Sequence, residues 1–170
     1  MTVAQTQTPD LMSALVITPE QTRDRDAVDA LVMAAFGPGR YAKTAERIRE
    51  RAHLAAGFVA REGDTDGRLI GAVRLWSVEI EGLPALFLGP IAVATDARSG
   101  GLGGDLVAAC IDYARRCDIA GILLVGDLAY FERFGFEPSP QIHLSGPADP
   151  RRVLWLSIAE AAPSGLALPV

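Results

Sequence analysis

Apolar and polar positions change their spacing several times along the chain, and each change marks a new element. Residues 15–18, LVIT, are apolar and β-branched and predict a strand, whereas residues 28–36 repeat apolar side chains every three or four positions and predict a helix. That helix is expected to end before Gly37, because the sequence GPG follows. Residues 43–52 predict a second, more charged helix. The chain therefore opens with a strand and two helices.

Three longer stretches of strand character come next. They cover residues 53–61, 68–80 and 83–93 and are separated by the turn-forming segment EGDTDG and the short segment EG. Short turns between neighbouring strands favour antiparallel hairpins. This part of the chain therefore predicts an antiparallel meander.

Helix and strand alternate in the second half of the chain. Helical spacing returns at residues 100–116, the apolar run ILLV occupies residues 122–125, and a short helix capped by an aspartate is predicted over residues 127–134. Two last strands are predicted at residues 142–144 and 153–158. The expected fold is α/β, with one mixed, mostly antiparallel twisted sheet and helices on both faces.

Size and charge narrow the classes of protein. A chain of 170 residues with 49% hydrophobic residues predicts a single domain over residues 1–170, with residues 1–13 as a flexible tail. The net charge of −5 argues against nucleic acid as a partner, because phosphate binding needs a basic face. No segment approaches the ~20 apolar residues of a membrane span, and the N-terminus lacks an export signal. A cytoplasmic protein without a membrane partner is expected.

Cysteine and histidine are sparse. Cys110 and Cys117 lie on one predicted helix, roughly 10 Å apart by helical rise, which is too far for a disulfide, so both are expected to be reduced. His53 and His143 have no companion ligand at metal-binding spacing. No metal site is predicted.

The most informative segment is LGPIAVATDARSGGLGGDLVAAC, residues 88–110. A strand ends there, four glycines fall within five positions, and an amphipathic helix follows. Glycines let a ligand approach the backbone closely, and the free N–H groups at a helix start lie at the positive end of the helix dipole. Such a turn is suited to phosphate, although glycines can also form a tight turn without any ligand.

Two other phosphate-binding loops were compared with this segment. The pattern GxxxxGK[ST] is absent because no lysine follows these glycines, which disfavours a nucleoside-triphosphate site. The pattern GxGxxG fits at Gly101 and Gly103 but has Leu106 in its third glycine position. Asp127 follows the next strand and could imitate the acid that binds ribose. An oxidoreductase that binds a nicotinamide dinucleotide therefore stays as an alternative.

Several segments resemble the GNAT superfamily of acyltransferases. The sequence RSGGLG, residues 98–103, fits the family signature [QR]-x-x-G-x-[GA], and LGPIAV resembles the strand that leads into it. VGDLAYFERFGFEP, residues 125–138, resembles the second cofactor segment of the family. FGPGRYAKTAERIRE, residues 36–50, is similar to the early helices of the bacterial subgroup of predicted N-acetyltransferases. Together these segments cover most of the chain in the family's order.

The resemblance implies acetyl-CoA or another acyl-CoA as co-substrate, an amine as acceptor, and no metal. The residues that it assigns to the pyrophosphate are Arg98, Ser99, Gly100, Gly101, Leu102, Gly103 and Gly104, with the backbone N–H groups from Gly100 to Gly104 as donors. Ile91, Ala92 and Val93 would pair with the pantetheine arm, because its two amides can join an exposed strand edge. A split between strands at Gly89-Pro90 would open that edge, and Phe131 lies in the second cofactor segment.

Two residues are predicted to take part in proton transfer. An alkylamine with a pKa of about 10.4 is mostly protonated at neutral pH, so a base is useful. Glu79 and Glu81 end the strand expected beside the split, and Glu79 is the predicted base; either glutamate could instead be a solvated strand end. Family members often place a tyrosine, the donor to the departing thiolate, where this chain has Phe131. Its neighbour Tyr130 is the predicted donor here, unless both rings only pack.

The predicted function is transfer of an acetyl or short acyl group from acyl-CoA to a primary amine by direct attack in a ternary complex. No cysteine lies near the expected site, so a covalent acyl-enzyme is not expected. Because Phe131 stands where family members often have a tyrosine, a regulatory module that binds acyl-CoA without turnover stays as an alternative. The acceptor stays open among small metabolites, antibiotics and protein amines. The acidic chain favours cationic ones, and exposed strands at the C-terminal end could pair in a homodimer.

Overall fold

The structure is a computed structural model that describes residues 15–39 and 43–170, with only the backbone of Ser99. The predicted tail, residues 1–13, and residues 40–42 of the loop after the first helix lie outside the described residues. The strands are β1 (Leu15–Pro19), β2 (Leu54–Glu62), β3 (Leu69–Ile80), β4 (Leu83–Val93), β5 (Gly121–Val125), β6 (Glu137–Pro138), β7 (Ile142–Leu144), β8 (Val153–Ser157) and β9 (Gly165–Pro169). The α-helices are α1 (Arg25–Phe36), α2 (Thr44–Arg49), α3 (Leu102–Ala114) and α4 (Leu128–Phe131).

These strands form one mixed sheet. Its order is β1-β2-β3-β4-β5-β8-β6, and the pair β7-β9 joins through β9 to the end of β3. Pairing is parallel between β4 and β5, where α3 crosses over, and between β7 and β9, and it is antiparallel elsewhere. The predicted α/β fold with a mostly antiparallel sheet is therefore confirmed.

Helices cover both faces of the sheet because side chains alternate along β3. Val73 and Leu75 belong to the largest buried cluster, which packs under α3, whereas Ala72 belongs to a separate cluster with Val28 and Val32 of α1. A third cluster lies under α2. No helix in the described ranges is long and apolar enough to cross a bilayer.

Two strands were not predicted, the two-residue β6 and the C-terminal β9. The C-terminal segment 165–169 forms β9, which pairs with residues 78–80 of β3. That edge of β3 is available because β3 has twelve residues and its pairing with β2 ends at Trp76. The strand β9 therefore continues the sheet where β2 ends.

The sheet splits between β4 and β5. These strands pair only at Leu86–Ile122 and Phe87–Leu123, so the edge of β4 from Leu88 onward faces an opening. The indole N–H of Trp76 donates to the Gly89 carbonyl oxygen at 2.6 Å and holds β4 in place at Gly89. The predicted split at Gly89-Pro90 lies at this place.

A buried ion pair joins the chain after β1 to the middle of β3. The guanidinium of Arg74 donates to both carboxylate oxygens of Glu20, with the shortest distance 2.6 Å, and Nη1 donates to Asp29 at 2.7 Å. The side chains of Arg74 and Glu20 are 11% and 6% exposed, but that of Asp29 is 58% exposed. Only Glu20 therefore supplies a buried counter-charge.

We expect Glu20→Ala to lower the free energy of unfolding by about 3 kcal/mol, because it leaves a buried guanidinium with one exposed partner. Asp29→Ala removes the other carboxylate of the same arginine and is the matched control. Its expected cost is below about 1 kcal/mol, because solvent screens that pair. Urea unfolding of both variants measures the difference, and equal losses would contradict this assignment.

Candidate active site

The glycine turn places free backbone N–H groups at the start of α3. Residues 95–100 form a 3-10 helix, and Gly101 takes a left-handed conformation with φ 78° and ψ 4° before the helix begins at Leu102. The N–H of Gly104 already donates to the Gly101 carbonyl oxygen at 2.9 Å. The N–H groups of Leu102 and Gly103 precede the first helical hydrogen bond and have no intrahelical acceptor. Of the predicted donors from Gly100 to Gly104, the N–H of Gly104 is therefore already used, whereas those of Leu102 and Gly103 can bind a ligand.

A groove of about 630 Å³ leads from this turn to the edge of β4. Its lining includes Val93, Arg98, Gly101, Gly103, Phe131 and Arg133. The Arg98 side chain is exposed, and its Nε donates to the Val93 carbonyl oxygen at 3.2 Å. The backbone of Ser99 belongs to the same turn. From the predicted turn, Arg98, Gly101, Gly103 and Gly104 therefore border the same surface as Ile91 and Val93 of the strand edge, whereas the Leu102 side chain is buried in the core.

The three residues predicted on β4 do not share one environment. Ile91 and Val93 line the groove, but Ala92 is 1% exposed and packs in the cluster with α1. This alternation is what a strand imposes, because successive side chains point to opposite faces. The hydrogen-bonded pairs of the ladder alternate in the same way, and because the N–H of Ala94 donates to Ile70, the backbone of Ala92 is turned toward Ala72 of β3. Ala92 therefore faces away from the groove, and the backbone groups at the free edge of β4 are those of Ile91 and Val93.

The groove carries a second cation that the sequence did not single out. Arg133 places its guanidinium carbon 4.5 Å from the ring centre of Tyr130 and 4.7 Å from that of Phe134. Its Nη2 lies 3.2 Å from the position that a Cβ on Gly104 would take. Arg98 and Arg133 together give the groove positive charge. The sequence does contain a signal for this cation, because Arg133 follows Tyr130 by about one helical turn.

Tyr130 and Phe131 face different parts of the site. A Cβ on Gly103 would lie 2.7 Å from the Tyr130 hydroxyl oxygen, so this hydroxyl lies against the first turn of α3. The ring of Phe131 instead contacts Gly126 at the end of β5, where an added Cβ would lie 2.5 Å from it. The two ring centres are 4.9 Å apart, nearly perpendicular. The Phe131 ring therefore lies against the β5 side of the strand split, and the Tyr130 hydroxyl lies against the start of α3.

The split itself opens into a cavity of about 640 Å³. Gly89 and Pro90 line it from β4, Val125 from β5 and Gly126 just after it. The remaining walls come from the end of α1, Lys43 and α2, residues 127–131, residues 147–149 and Arg152. Ile91, Tyr130 and Phe131 line both this cavity and the groove. The groove and the cavity therefore meet at the split, and we refer to the cavity below as the split cavity.

The predicted base is not at the split cavity. Glu79 pairs with Pro84 of β4 and with Leu168 of β9. Five residues separate Pro84 from Gly89, which is about 16 Å along a strand. Glu81 lies further along, against Gly165. The sequence predicts these glutamates beside the split. The register places them away from it, and neither lines the split cavity.

Two other carboxylates line it, and their surroundings differ. Asp149 accepts hydrogen bonds from the Arg151 side chain at 2.9 and 3.1 Å and from its N–H at 3.0 Å. These bonds hold the pKa of Asp149 below its ordinary value. Asp127 caps α4 by accepting one bond from the N–H of Ala129 at 3.2 Å. Asp127 is exposed to the split cavity and keeps lone pairs for a ligand or water.

Neither cysteine borders the groove or the split cavity. Cys110 is buried in the core, and burial raises the pKa of its thiol. Cys117 donates through its sulfur to the Tyr113 carbonyl oxygen at 3.4 Å. Across the part of the chain that the structure describes, no three His, Cys, Asp or Glu side chains are grouped as metal ligands.

Comparison with known proteins gives consistent matches. The sequence model of the Acetyltransferase (GNAT) family matches residues 25–136, more than half of the chain. The chain is 33% identical over 125 residues to the uncharacterized N-acetyltransferase YhbS of Escherichia coli K12, covering 72% of this chain and 74% of that protein. The resemblance inferred from the glycine signature is thereby confirmed.

Solved structures agree with the sequence matches. The crystal structure of Escherichia coli YhbS in complex with CoA superposes with a TM-score of 0.80 at 27% identity, covering 96% of this chain and 94% of that one. A GNAT family acetyltransferase from Brucella melitensis, in complex with acetyl-CoA, gives a TM-score of 0.72 at 25% identity, covering 93% and 97%. Both similar proteins were therefore crystallised with coenzyme A or its acetyl thioester.

Proposed function

The chain belongs to the GNAT acetyltransferase family, and on that premise we propose that it transfers an acetyl or other short acyl group from acyl-CoA to a primary amine. The transfer takes place by direct attack in a ternary complex. One observation carries the proposal: the groove from the glycine turn and the split cavity meet where β4 and β5 separate. A thioester and an amine can therefore reach the same point from two sides.

The glycine turn is suited to the pyrophosphate of acyl-CoA. The N–H groups of Leu102 and Gly103 lie at the positive end of the α3 dipole, and Arg98 and Arg133 border the same groove. The absence of a side chain at Gly103 lets an anion approach these amides. Relatives crystallised with CoA and acetyl-CoA support this assignment.

The edge of β4 is suited to the pantetheine arm. Beyond Phe87 no described strand pairs with the β5-facing edge of β4, so the backbone groups of Ile91 and Val93, which point away from β3, can meet the two amides of the arm. An arm that follows this edge toward Gly89 brings the thioester into the split cavity. There it is held close to an acceptor, which supplies proximity to the reaction.

In the transfer step, the amine nitrogen attacks the thioester carbonyl carbon, a C–N bond forms, and the C–S bond breaks. The amine must lose one proton, and we assign its acceptor to Asp127, directly or through one water, because this carboxylate lines the split cavity and Glu79 does not. The departing thiolate takes a proton from solvent. A thiol with an ordinary pKa of about 8.5 is a fair leaving group without a dedicated acid.

The position of Tyr130 argues for a contact with the bound acyl-CoA and against a role as proton donor. We expect Tyr130→Phe to raise the Kd for acetyl-CoA by about threefold, the value of one neutral hydrogen bond, and to leave kcat within about twofold. Steady-state kinetics with calorimetric titration separates the two effects. A fall in kcat of about 100-fold without a change in Kd would restore the predicted donor role.

Two measurements test the proposed function. Calorimetry should detect binding of acetyl-CoA but not of NADH, and a thiol reagent should detect CoA release when amines are added. Binding of acetyl-CoA without release for any amine would favour the non-catalytic regulatory module. Binding of NADH alone would favour the oxidoreductase, although Leu106, at its third glycine position, is fully buried.

A further inference from the structure

Two arginines lie on the two sides of the strand split. Nη2 of Arg49 lies 2.9 Å from the position that a Cβ on Gly89 would take, on the β4 side. Nε of Arg152 donates to the Gly126 carbonyl oxygen at 3.3 Å, on the β5 side. Because Phe87 of β4 pairs with Leu123 of β5, Gly89 and Gly126 are within one residue of lying opposite each other across the split. Both guanidinium groups line the split cavity.

Arg49 is held in place by its neighbours. Its Nη1 donates to Glu46 at 3.1 Å, its guanidinium carbon lies 5.6 Å from the ring centre of Phe87, and its side chain is 15% exposed. Gly89 has φ 131°, and its missing side chain gives the guanidinium room against β4. The cation is therefore fixed beside the point where the acyl group is transferred.

The other charges of the split cavity favour an anion over a cation. Lys43 and Arg152 line it and have no ion pair among residues 15–39 and 43–170. Of the two lining carboxylates, Asp149 is already neutralised by Arg151, which leaves Asp127. Cations thus predominate in the split cavity of a chain whose net charge is −5.

Two of these cations, Arg49 and Lys43, lie on the face of the sheet opposite α3. Ala45 of α2 and Ala148 pack against the cluster that contains Phe87, whereas Phe131 packs against the cluster under α3. Arg49 comes from α2, and Lys43 immediately precedes that helix. An acceptor that enters from the side of α2 therefore passes Lys43 and Arg49.

On the basis of the proposed function, we propose that the acceptor is a small amine that also carries a carboxylate or phosphate group, bound by Arg49 and Arg152 with Lys43 at the entrance. A guanidinium presents a planar pair of donors that fits either anion. The volume of about 640 Å³ is in the range of small-molecule sites. Asp127 then faces the amine of the same molecule. The local charge thus reverses the expectation of a cationic acceptor drawn from the net charge.

Matched acceptors test the anionic group. CoA release is measured with each of the twenty L-amino acids, with their amides, and with the amines that lack the carboxylate, such as phenethylamine beside phenylalanine. O-phosphoethanolamine is compared with ethanolamine to test a phosphate group. For the best acceptor we expect kcat/KM to be at least about tenfold higher than for its uncharged partner, as one charge-assisted contact provides, with most of the difference in KM.

Variants connect the preference to the arginines. Arg152→Met is expected to reduce the preference about tenfold and to leave the Kd for acetyl-CoA unchanged, whereas Arg152→Lys should keep part of it. Arg152 is exposed, so its replacement should not prevent folding, unlike that of the packed Arg49. Arg115→Met is the matched control, because Arg115, the residue after α3, is 67% exposed, and its one ion pair within the described ranges is with Asp112 at 3.6 Å.

Product binding gives a readout that does not depend on turnover. With CoA present, calorimetry should detect the N-acetyl form of the best acceptor, and Arg152→Met should weaken it about tenfold. Faster transfer to uncharged or polycationic amines such as spermidine, or a preference unchanged in Arg152→Met, would overturn this inference and leave the proposed function standing. Acetyl-CoA that does not bind, or no CoA release with any amine, would overturn both.

Discussion

Gly103→Val is expected to weaken acetyl-CoA binding by at least about 100-fold, because it blocks the amides at the start of α3. Any Cβ at this position lies 2.7 Å from the Tyr130 hydroxyl oxygen, so the ring must move into the groove. The branched side chain also covers the N–H groups of Leu102 and Gly103. Two hydrogen bonds to a charged group, worth about 1.5–3 kcal/mol each, would be lost.

Calorimetric titration with acetyl-CoA measures this loss, and thermal unfolding without ligand shows whether the variant is folded. Gly100→Ala is the matched control in the same turn, because a Cβ on Gly100 meets no atom within 4 Å. We expect Gly100→Ala to bind acetyl-CoA within about threefold of the parent protein. Folded Gly103→Val protein with unchanged affinity would show that the pyrophosphate lies elsewhere.

The glycine turn was predictable because its information is local. Strand end, glycines and helix start follow one another within residues 88–110, and the same amides are adjacent in space whatever the rest of the chain does. The long periodic segments were predictable for a similar reason, since each shows its buried face in its own spacing. The predicted start of α3 was two residues early, because Gly101 is left-handed and ends the preceding turn.

The strand β9 was missed because little of its information is local. Of its five residues only Ala167 is buried, and its partners on β3 are about ninety positions away in the sequence. Alternation within five residues of which two are Gly and Pro gives a weak signal. Its existence depends on the length of β3 relative to β2, which sequence spacing does not provide.

The charged residues of the split cavity depend on register in the same way. Glu79 and Asp127 both follow apolar stretches, and nothing in their neighbouring sequence distinguishes them. Glu79, however, pairs with Pro84, which places it away from the split. Arg49 and Arg152 come from segments that are about a hundred residues apart and meet only across the split. A net charge of −5 for the whole chain does not describe the charges at one site.

Asp127→Asn is expected to lower kcat for a primary amine at pH 7 by a factor on the order of 100 to 1000, the usual contribution of a general base. Asparagine caps a helix as well as aspartate does, so the bond to the Ala129 N–H and the position of α4 should be kept. The Kd for acetyl-CoA should not change. Without a base, the rate should rise about tenfold per pH unit as the free amine accumulates below its pKa.

Two further variants distinguish this role from a general effect of charge. Asp149→Asn removes the other carboxylate of the split cavity, which also caps a helical turn, and its kcat should stay within about threefold, because Arg151 already holds that group. Glu79→Gln should likewise be near the parent value. Full activity of Asp127→Asn together with loss in Glu79→Gln would contradict the assignment of Asp127 and favour Glu79 as the base, despite its pairing with Pro84 and Leu168 away from the split.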